Sequence, residues 1–302
     1  MANGKCGKNL TWQLDGNGTL TISGTGDMDD YLFDGMCSPW YSAPRLIKSV
    51  VITDGITSIG EFAFNGCTNL TDVTIGDSVT TIGCEAFNGC VNLTNVTIGK
   101  NVSTIGDYAF KSCMSLTGVT IPDSVKTIGY GAFDGCENLT NITIPDGVKE
   151  IGDQAFCGCK SLMSVTIPDS VTSIGAGAFH LCKNLASVII GNGVTTIDDF
   201  VFGCCENLTS VTIPDGVEVI GEHTFSCCGL TSVTIPDSVE KIGKYAFHNC
   251  KNLTSVTIPD SVKEVGSGAF YGCTNLRKIS YSAGTEFDWE LSSGNDAELI
   301  PY

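Results

Sequence analysis

A 23-residue spacing governs this chain. From Ile47 an aliphatic residue recurs at Leu70, Leu93, Leu116, Leu139, Leu162, Leu185, Leu208, Leu230 and Leu253, which defines ten consecutive repeats. Nine are 23 residues long; the eighth, Leu208 to Gly229, is one shorter, and its deletion falls just after Cys228. Self-similarity at such a period marks an architecture in which no unit buries its apolar side chains alone and stacked neighbours build a shared core. The 302 residues, which would ordinarily suggest two compact domains, therefore read as one elongated array.

Each fixed position within a unit has a physical reason. In Leu116 to Asn138, Val119 and Ile121 are β-branched and alternate with Thr120, the period of a short strand with one buried face. One strand per repeat is expected. Pro122-Asp123-Ser124 then ends it, because proline offers no ladder donor and aspartate accepts from nearby backbone amides. Val125, Ile128 and Phe133 supply further buried contacts, Gly129 permits a bend, and Ala132-Phe133 is expected to form one helical or 3-10 turn. Parallel strands about 4.8 Å apart would make ten such coils a curved rod on the order of 50 Å long, with the strands on its concave face.

The I-P-D-S-V, I-G-x-x-A-F and x-x-C-x-N-L elements resemble the BspA-like bacterial leucine-rich repeats, which are also seen in Treponema, in many gut bacteria and in trichomonads. The resemblance covers residues 47–275, and the N-terminal stretch looks like that family's cap. It implies a right-handed leucine-rich-repeat solenoid, a horseshoe-like rod with a parallel β-sheet on the concave face and short strands, turns and 3-10 or helical turns elsewhere. It also implies a secreted or surface-exposed bacterial protein concerned with adhesion. It names no ligand, since relatives share the framework and differ on its surface.

The ends of a solenoid need covers. Residues 1–46 read as a β-hairpin cap, with Leu10 to Leu14 and Thr19 to Ile22 around the turn Asp15-Gly16-Asn17-Gly18, and with Pro39-Trp40-Tyr41 plugging the first coil. Residues 276–302 read as a C-terminal cap and tail, in which Leu276 to Tyr281 resembles an eleventh strand and Ser282 to Tyr302 closes the core or frays.

Charge and hydropathy narrow the partners. An apolar share of 42% supplies a core, while 33 acidic against 16 basic residues give a net charge of -17 that repels phosphate backbones and anionic headgroups. Nucleic acid is excluded as the expected partner. So is membrane insertion, because no apolar run approaches the roughly 18 residues a span requires. Met1-Ala2-Asn3-Gly4-Lys5 opens without an apolar signal core, so a surface or secreted location requires signal and anchor segments absent from this chain; cytoplasmic residence is the alternative. Sequons at Asn69, Asn92, Asn138, Asn207 and Asn252 each precede a core leucine, where a glycan would obstruct stacking; this disfavours a eukaryotic secretory route. A monomer is expected.

Chemistry-bearing residues follow the repeat. Of 16 cysteines, ten from Cys67 to Cys273 recur at one position. They are expected to be free, buried thiols, since identical packing points them in parallel, although adjacent coils are close enough for disulfides. Cys6 and Cys37 share the cap and either pair there or stay free. Cys204-Cys205 and Cys227-Cys228 superficially offer four zinc ligands, but adjacent residues point different ways, and a stacked Cys204–Cys227 disulfide is the better alternative. Asp77, Asp123, Asp146, Asp169, Asp215, Asp237 and Asp260 form a column expected to cap turns, with calcium as the alternative. His180, His223 and His248 lie in different repeats with no catalytic motif beside them. No enzyme, metal or cofactor is expected.

The surface carries the functional expectation. Thr74, Thr97, Thr120, Thr143, Thr166, Thr212, Thr234 and Thr257 make the exposed strand face a uniform hydroxyl ladder. A flat ice-binding array is disfavoured by the expected curvature. Met163, Ala186 and Ile189 interrupt the ladder in repeats six and seven, where Asp198, Asp199, Phe200 and Val201 also depart from the repeat. Local apolar exposure on a polar sheet marks interaction sites, so Met163, Ala186, Ile189 and Phe200 are the candidate partner-binding residues. The expected function is non-enzymatic binding of a protein ligand such as a host or extracellular-matrix protein. The alternative is a structural or self-assembling surface-layer component.

Overall fold

The computed structural model describes residues 2–32, 37–282, 285–287 and 297–301; the expected tail falls partly on 283–284, 288–296 and 302, outside the described residues. The chain forms a parallel β-solenoid divided into two compact units, Met1–Val148 and Lys149–Tyr302, each made of stacked coils.

In the first unit, strands Ala2–Gly7, Leu10–Leu14 and Thr19–Gly24 run antiparallel. The third also pairs in parallel with Ser49–Ile52, which pairs with Asp72–Ile75, and that with Asn95–Thr97. Ser49 lies opposite Asp72 and Asp72 opposite Asn95, so neighbours are one repeat apart and each side chain meets its own counterpart. In Asp72–Ile75, Val73 and Ile75 are buried and Asp72 and Thr74 exposed, as the alternation requires. In the second unit Ser164–Ile167 pairs with Ser187–Ile190, and Ser255–Ile258 with Lys278–Tyr281, which pairs with Glu298–Pro301. Between these two groups the described pairing on that side is a single bridge, Thr212 to Thr234.

The expectation of one strand per repeat is corrected. Most coils carry a second, two-residue strand, such as Thr81–Ile82, Thr104–Ile105 and Thr127–Ile128 in the first unit and Ser173–Ile174, Thr196–Ile197 and Val219–Ile220 in the second, paired in parallel with its neighbours. Two residues hold no full alternation, so these isoleucines read from sequence only as buried turn contacts. The segment around Ala132-Phe133 is a pair of hydrogen-bonded turns, with Ala132 N–H donating to the Gly129 carbonyl at 3.3 Å and Cys136 N–H to that of Phe133 at 3.1 Å. Among the described residues the assigned helix is one 3-10 turn, Pro44–Leu46.

Three columns tie coil to coil. The first is aromatic: Trp40, Phe64, Phe87, Phe110 and Phe133 stack at 5.1–5.3 Å between centroids in the first unit, and Phe156, Phe179, Phe202, Phe225, Phe247 and Phe270 at 5.3–5.7 Å in the second, all buried. The second is the thiols. Cys90 donates to the Phe64 carbonyl at 3.2 Å, Cys113 to that of Phe87 at 3.3 Å, and Cys205, Cys228, Cys250 and Cys273 repeat the contact with Phe179, Phe202, Phe225 and Phe247. Burial pushes the thiols of Cys67, Cys136 and Cys273 up to about 12, which keeps them protonated donors. The third is aspartate: the Asp54 carboxylate accepts from the Asp77 amide at 2.8 Å, Asp77 from the Lys100 amide at 3.1 Å and Asp169 from the Asn192 amide at 2.7 Å, each one repeat onward, and at a later position of the unit Asp107 accepts from the Tyr130 amide at 2.8 Å. These aspartates clip successive coils rather than close their own turn.

Gly129 has a different reason from the bend first assigned to it. A Cβ there would sit 2.5 Å from Asp107 Oδ1 and 2.7 Å from the Gly106 carbonyl carbon, so the previous coil's backbone leaves no room. Gly83, Gly106, Gly221, Gly243 and Gly266 stand under the same constraint.

Removing one stacked ring leaves a cavity between two neighbours. Phe179→Ala is expected to destabilise the fold by about 3–5 kcal/mol in denaturant unfolding, whereas Thr166→Ser on the exposed face should change it by less than about 0.5 kcal/mol. A Phe179→Ala loss below about 1 kcal/mol would show that cohesion lies elsewhere.

Candidate interaction surface

The solvent-exposed face of the four-residue strands in the second unit is polar by construction. Its exposed positions carry Ser164, Thr166, Ser187, Ser255 and Thr257, whose backbones are already engaged in the ladder. Ile189 sits opposite Thr166 in register and is 63% exposed; Met163, just before the first strand, is 56% exposed. The Ala186 amide donates to the Met163 carbonyl at 2.9 Å, so the two residues occupy equivalent places on adjacent coils. Met163, Ala186 and Ile189 thus stand exposed on two neighbouring coils, the first two just before the strands and Ile189 within one. An apolar patch of this kind gains from any partner that excludes water, by roughly 25 cal/mol for each Å² covered.

Phe200 does not join them. It lies beyond the two-residue strand Thr196–Ile197 with φ +58°, and its ring meets His180 edge-on at 5.8 Å and stacks on His223 at 4.6 Å. The contacts continue as His223 stacks on Tyr245 at 4.9 Å, Tyr245 meets His248 edge-on at 5.6 Å, and His248 stacks on Tyr271 at 5.6 Å. Six rings therefore run as a second, partly exposed ladder that gathers all three histidines of the chain. Sequence reading treated those histidines as scattered. Writing the repeats beneath one another would have shown the signal, because the six rings fall at only two positions of the unit.

The neighbouring departures prove to be framework. The Asp199 carboxylate accepts from the Glu222 amide at 2.6 Å, and the Asp198 carboxylate from the Asp199 amide at 2.9 Å. Val201 is buried where most repeats have alanine. Among the described residues no group of three or more His, Cys, Asp or Glu side chains is placed to hold a metal ion, every described cysteine is a free thiol, and no helix is long and apolar enough to cross a membrane.

A family model described as the BspA type leucine rich repeat region matches in six copies, over residues 40–135, 103–228 and 218–287. No curated protein sequence matches the chain. Among solved structures, the chain is similar to a leucine rich cell surface protein from Faecalibacterium prausnitzii, with 28% identity over 98% of this chain and 93% of that one and a TM-score of 0.57. A leucine-rich repeat protein from Bacteroides ovatus shows 25% identity over 93% and 98%, with a TM-score of 0.49. The pneumococcal vaccine antigen PcpA shares the fold at 19% identity over 94% and 82%, with a TM-score of 0.55. No enzymatic family is indicated.

The imidazoles of the ladder give it a pH dependence. Burial, reinforced by the His223 ring, holds His180 and His248 below their ordinary value of 6.5. The folded state thus resists protons that the unfolded chain accepts, so this contribution to stability is complete above about pH 6.5 and is lost as pH falls toward the lower folded values. The melting temperature of the wild type is expected to fall between pH 7.5 and pH 5.5 more steeply than that of a His180→Asn/His248→Asn variant. Parallel profiles would remove the histidines as the cause.

Proposed function

Because the chain belongs to the BspA type leucine-rich-repeat family, we propose that it is a non-enzymatic binding and adhesion module, presenting its coils to a protein partner such as a host or extracellular-matrix protein. One observation carries this reading: the apolar group Met163, Ala186 and Ile189 stands exposed on a side otherwise given to serine and threonine. Solvent exposure of two large apolar side chains on adjacent coils contributes nothing to the core beneath them, which is complete without them. On this reading residues 1–46 and 276–302 cover the ends of the array 47–275. A bacterial cell-surface or secreted setting is supported by the Faecalibacterium protein, which is itself described as a cell surface protein. The aromatic ladder through Phe200 is a separate side, and its contribution to the partner contact is secondary.

The test is a binding screen of the purified chain against immobilised extracellular-matrix proteins, host-cell proteins and polysaccharides, with a Met163→Thr/Ile189→Thr variant alongside. Saturable binding to a protein is expected, with Kd raised at least about tenfold in the variant and an unchanged melting temperature. Equal affinity of the two proteins would remove the patch as the site. Absence of any binding, together with concentration-dependent assembly of the chain, would favour the structural or self-assembling role instead.

A further inference from the structure

Cys204 and Cys227 differ from the column thiols in what their sulfurs meet. Cys204 and Cys227 occupy the same position of repeats seven and eight, each one residue before a member of the buried column. Both backbones are left-handed, with φ of 60° and 56°, and in-register bonds hold them, Cys204 N–H to the Ser226 carbonyl and Cys227 N–H to the His248 carbonyl, each at 2.7 Å. The column thiols Cys205 and Cys228 are committed to the carbonyls of Phe179 and Phe202 at 3.3 and 3.1 Å. The thiols of Cys204 and Cys227 instead hydrogen-bond each other, and both residues are only half-buried. Backbones about 4.8 Å apart on adjacent coils fall inside the roughly 4.4–6.8 Å span between Cα atoms that a disulfide accepts.

The place in the fold adds a purpose. Among the described residues, pairing of the longer strands stops at Ser187–Ile190, and the next bridge along that row is the single one between Thr212 and Thr234. The junction of repeats seven and eight is therefore held without that ladder, by the two-residue strands Thr196–Ile197 and Val219–Ile220, by the turn amides of Phe200, Phe202 and Cys204 donating to the Glu222, Thr224 and Ser226 carbonyls, and by the core. A covalent link here would join the two coils where one sheet does not.

We propose that Cys204 and Cys227 are a reversible disulfide site, closed by exchange with a small disulfide of the glutathione type, that staples repeat seven to repeat eight. One thiolate attacks the small disulfide, forming a mixed disulfide and releasing one glutathione thiolate. The second cysteine then attacks the protein sulfur of that mixed disulfide and releases the other. Two protein thiols and one oxidised glutathione become one protein disulfide and two reduced glutathiones, with the two protons passing to the leaving thiolates. Burial raises the Cys204 thiol above its ordinary value of 9.0, so closure accelerates as pH rises, by roughly tenfold per unit where the thiolate is scarce. This inference is independent of the partner-binding reading.

The experiment treats the full, reduced chain with oxidised glutathione at pH 8, quenches with acid, and reads intact mass, remaining thiols and linkage by tandem fragmentation. The wild type is expected to lose two of its 16 thiols, retain no glutathione and yield a Cys204–Cys227 link with a raised melting temperature. Cys204→Gly and Cys227→Gly are the matched variants, because Gly66, Gly89, Gly135, Gly158 and Gly272 hold the same position with positive φ. Each variant should keep one glutathione on its remaining partner and form no link. Glutathione retained on the wild type without closure, a link through other cysteines, or no reaction would each overturn the proposal.

Discussion

Everything in each unit depends on one coil being laid on the next so that like meets like. The phenylalanine stack makes the demand concrete: rings 5.1–5.7 Å apart and within 13° of parallel leave no freedom for a coil to slip or rotate against its neighbour. Offset stacking at that distance accommodates the rise set by parallel strand pairing, so the ring column and the ladder specify the same register. The other devices follow from it. A glycine is needed where the preceding coil's backbone passes too close for a Cβ, a small thiol fits where a donor must reach the previous phenylalanine carbonyl, and an aspartate sits where the next coil's amide needs an acceptor.

Much of this was legible in the sequence because burial leaves a pattern. Val73 and Ile75 alternate with exposed neighbours, and the recurring leucine, phenylalanine and cysteine mark the interior. What the pattern omits is the identity of partners on adjacent coils. Thr127-Ile128 is too short to show a strand's alternation, and it becomes one only by pairing with Thr104-Ile105. Likewise Asp169 reads as a turn residue from its own repeat, while its carboxylate serves Asn192 in the next. The left-handed backbone at Tyr108, Gln154, Phe200, His223 and Tyr245 was hidden because residues of every kind occupy that position beside glycine.

The candidate site was half legible for the same reason. Met163 and Ala186 break one column of hydroxyl residues and Ile189 another, departures visible in one repeat compared with the next, and they do share adjacent coils. Phe200 departs from the repeat equally, yet its company is the ring ladder from His180 to Tyr271. Along-chain proximity put it with the wrong neighbours, since one coil places residues a few positions apart on different sides. A repeat interior this constrained leaves the exposed positions as the place where function can vary.

The central claim is that inter-coil contacts make the turns as fixed as the strands, and hydrogen exchange of the phenylalanine amides tests it most directly. Phe64, Phe87 and Phe110 in the first unit, and Phe156, Phe179, Phe202, Phe225 and Phe247 in the second, donate to carbonyls one coil onward at 2.7–2.9 Å. These amides sit in segments that are turns by local conformation. Within each unit they are expected to exchange as slowly as the buried strand amides, within about a factor of ten of one another, because each opens only when stacked coils separate. Exchange at the rate of surface loops would contradict the account and leave the strand ladders as the sole source of order.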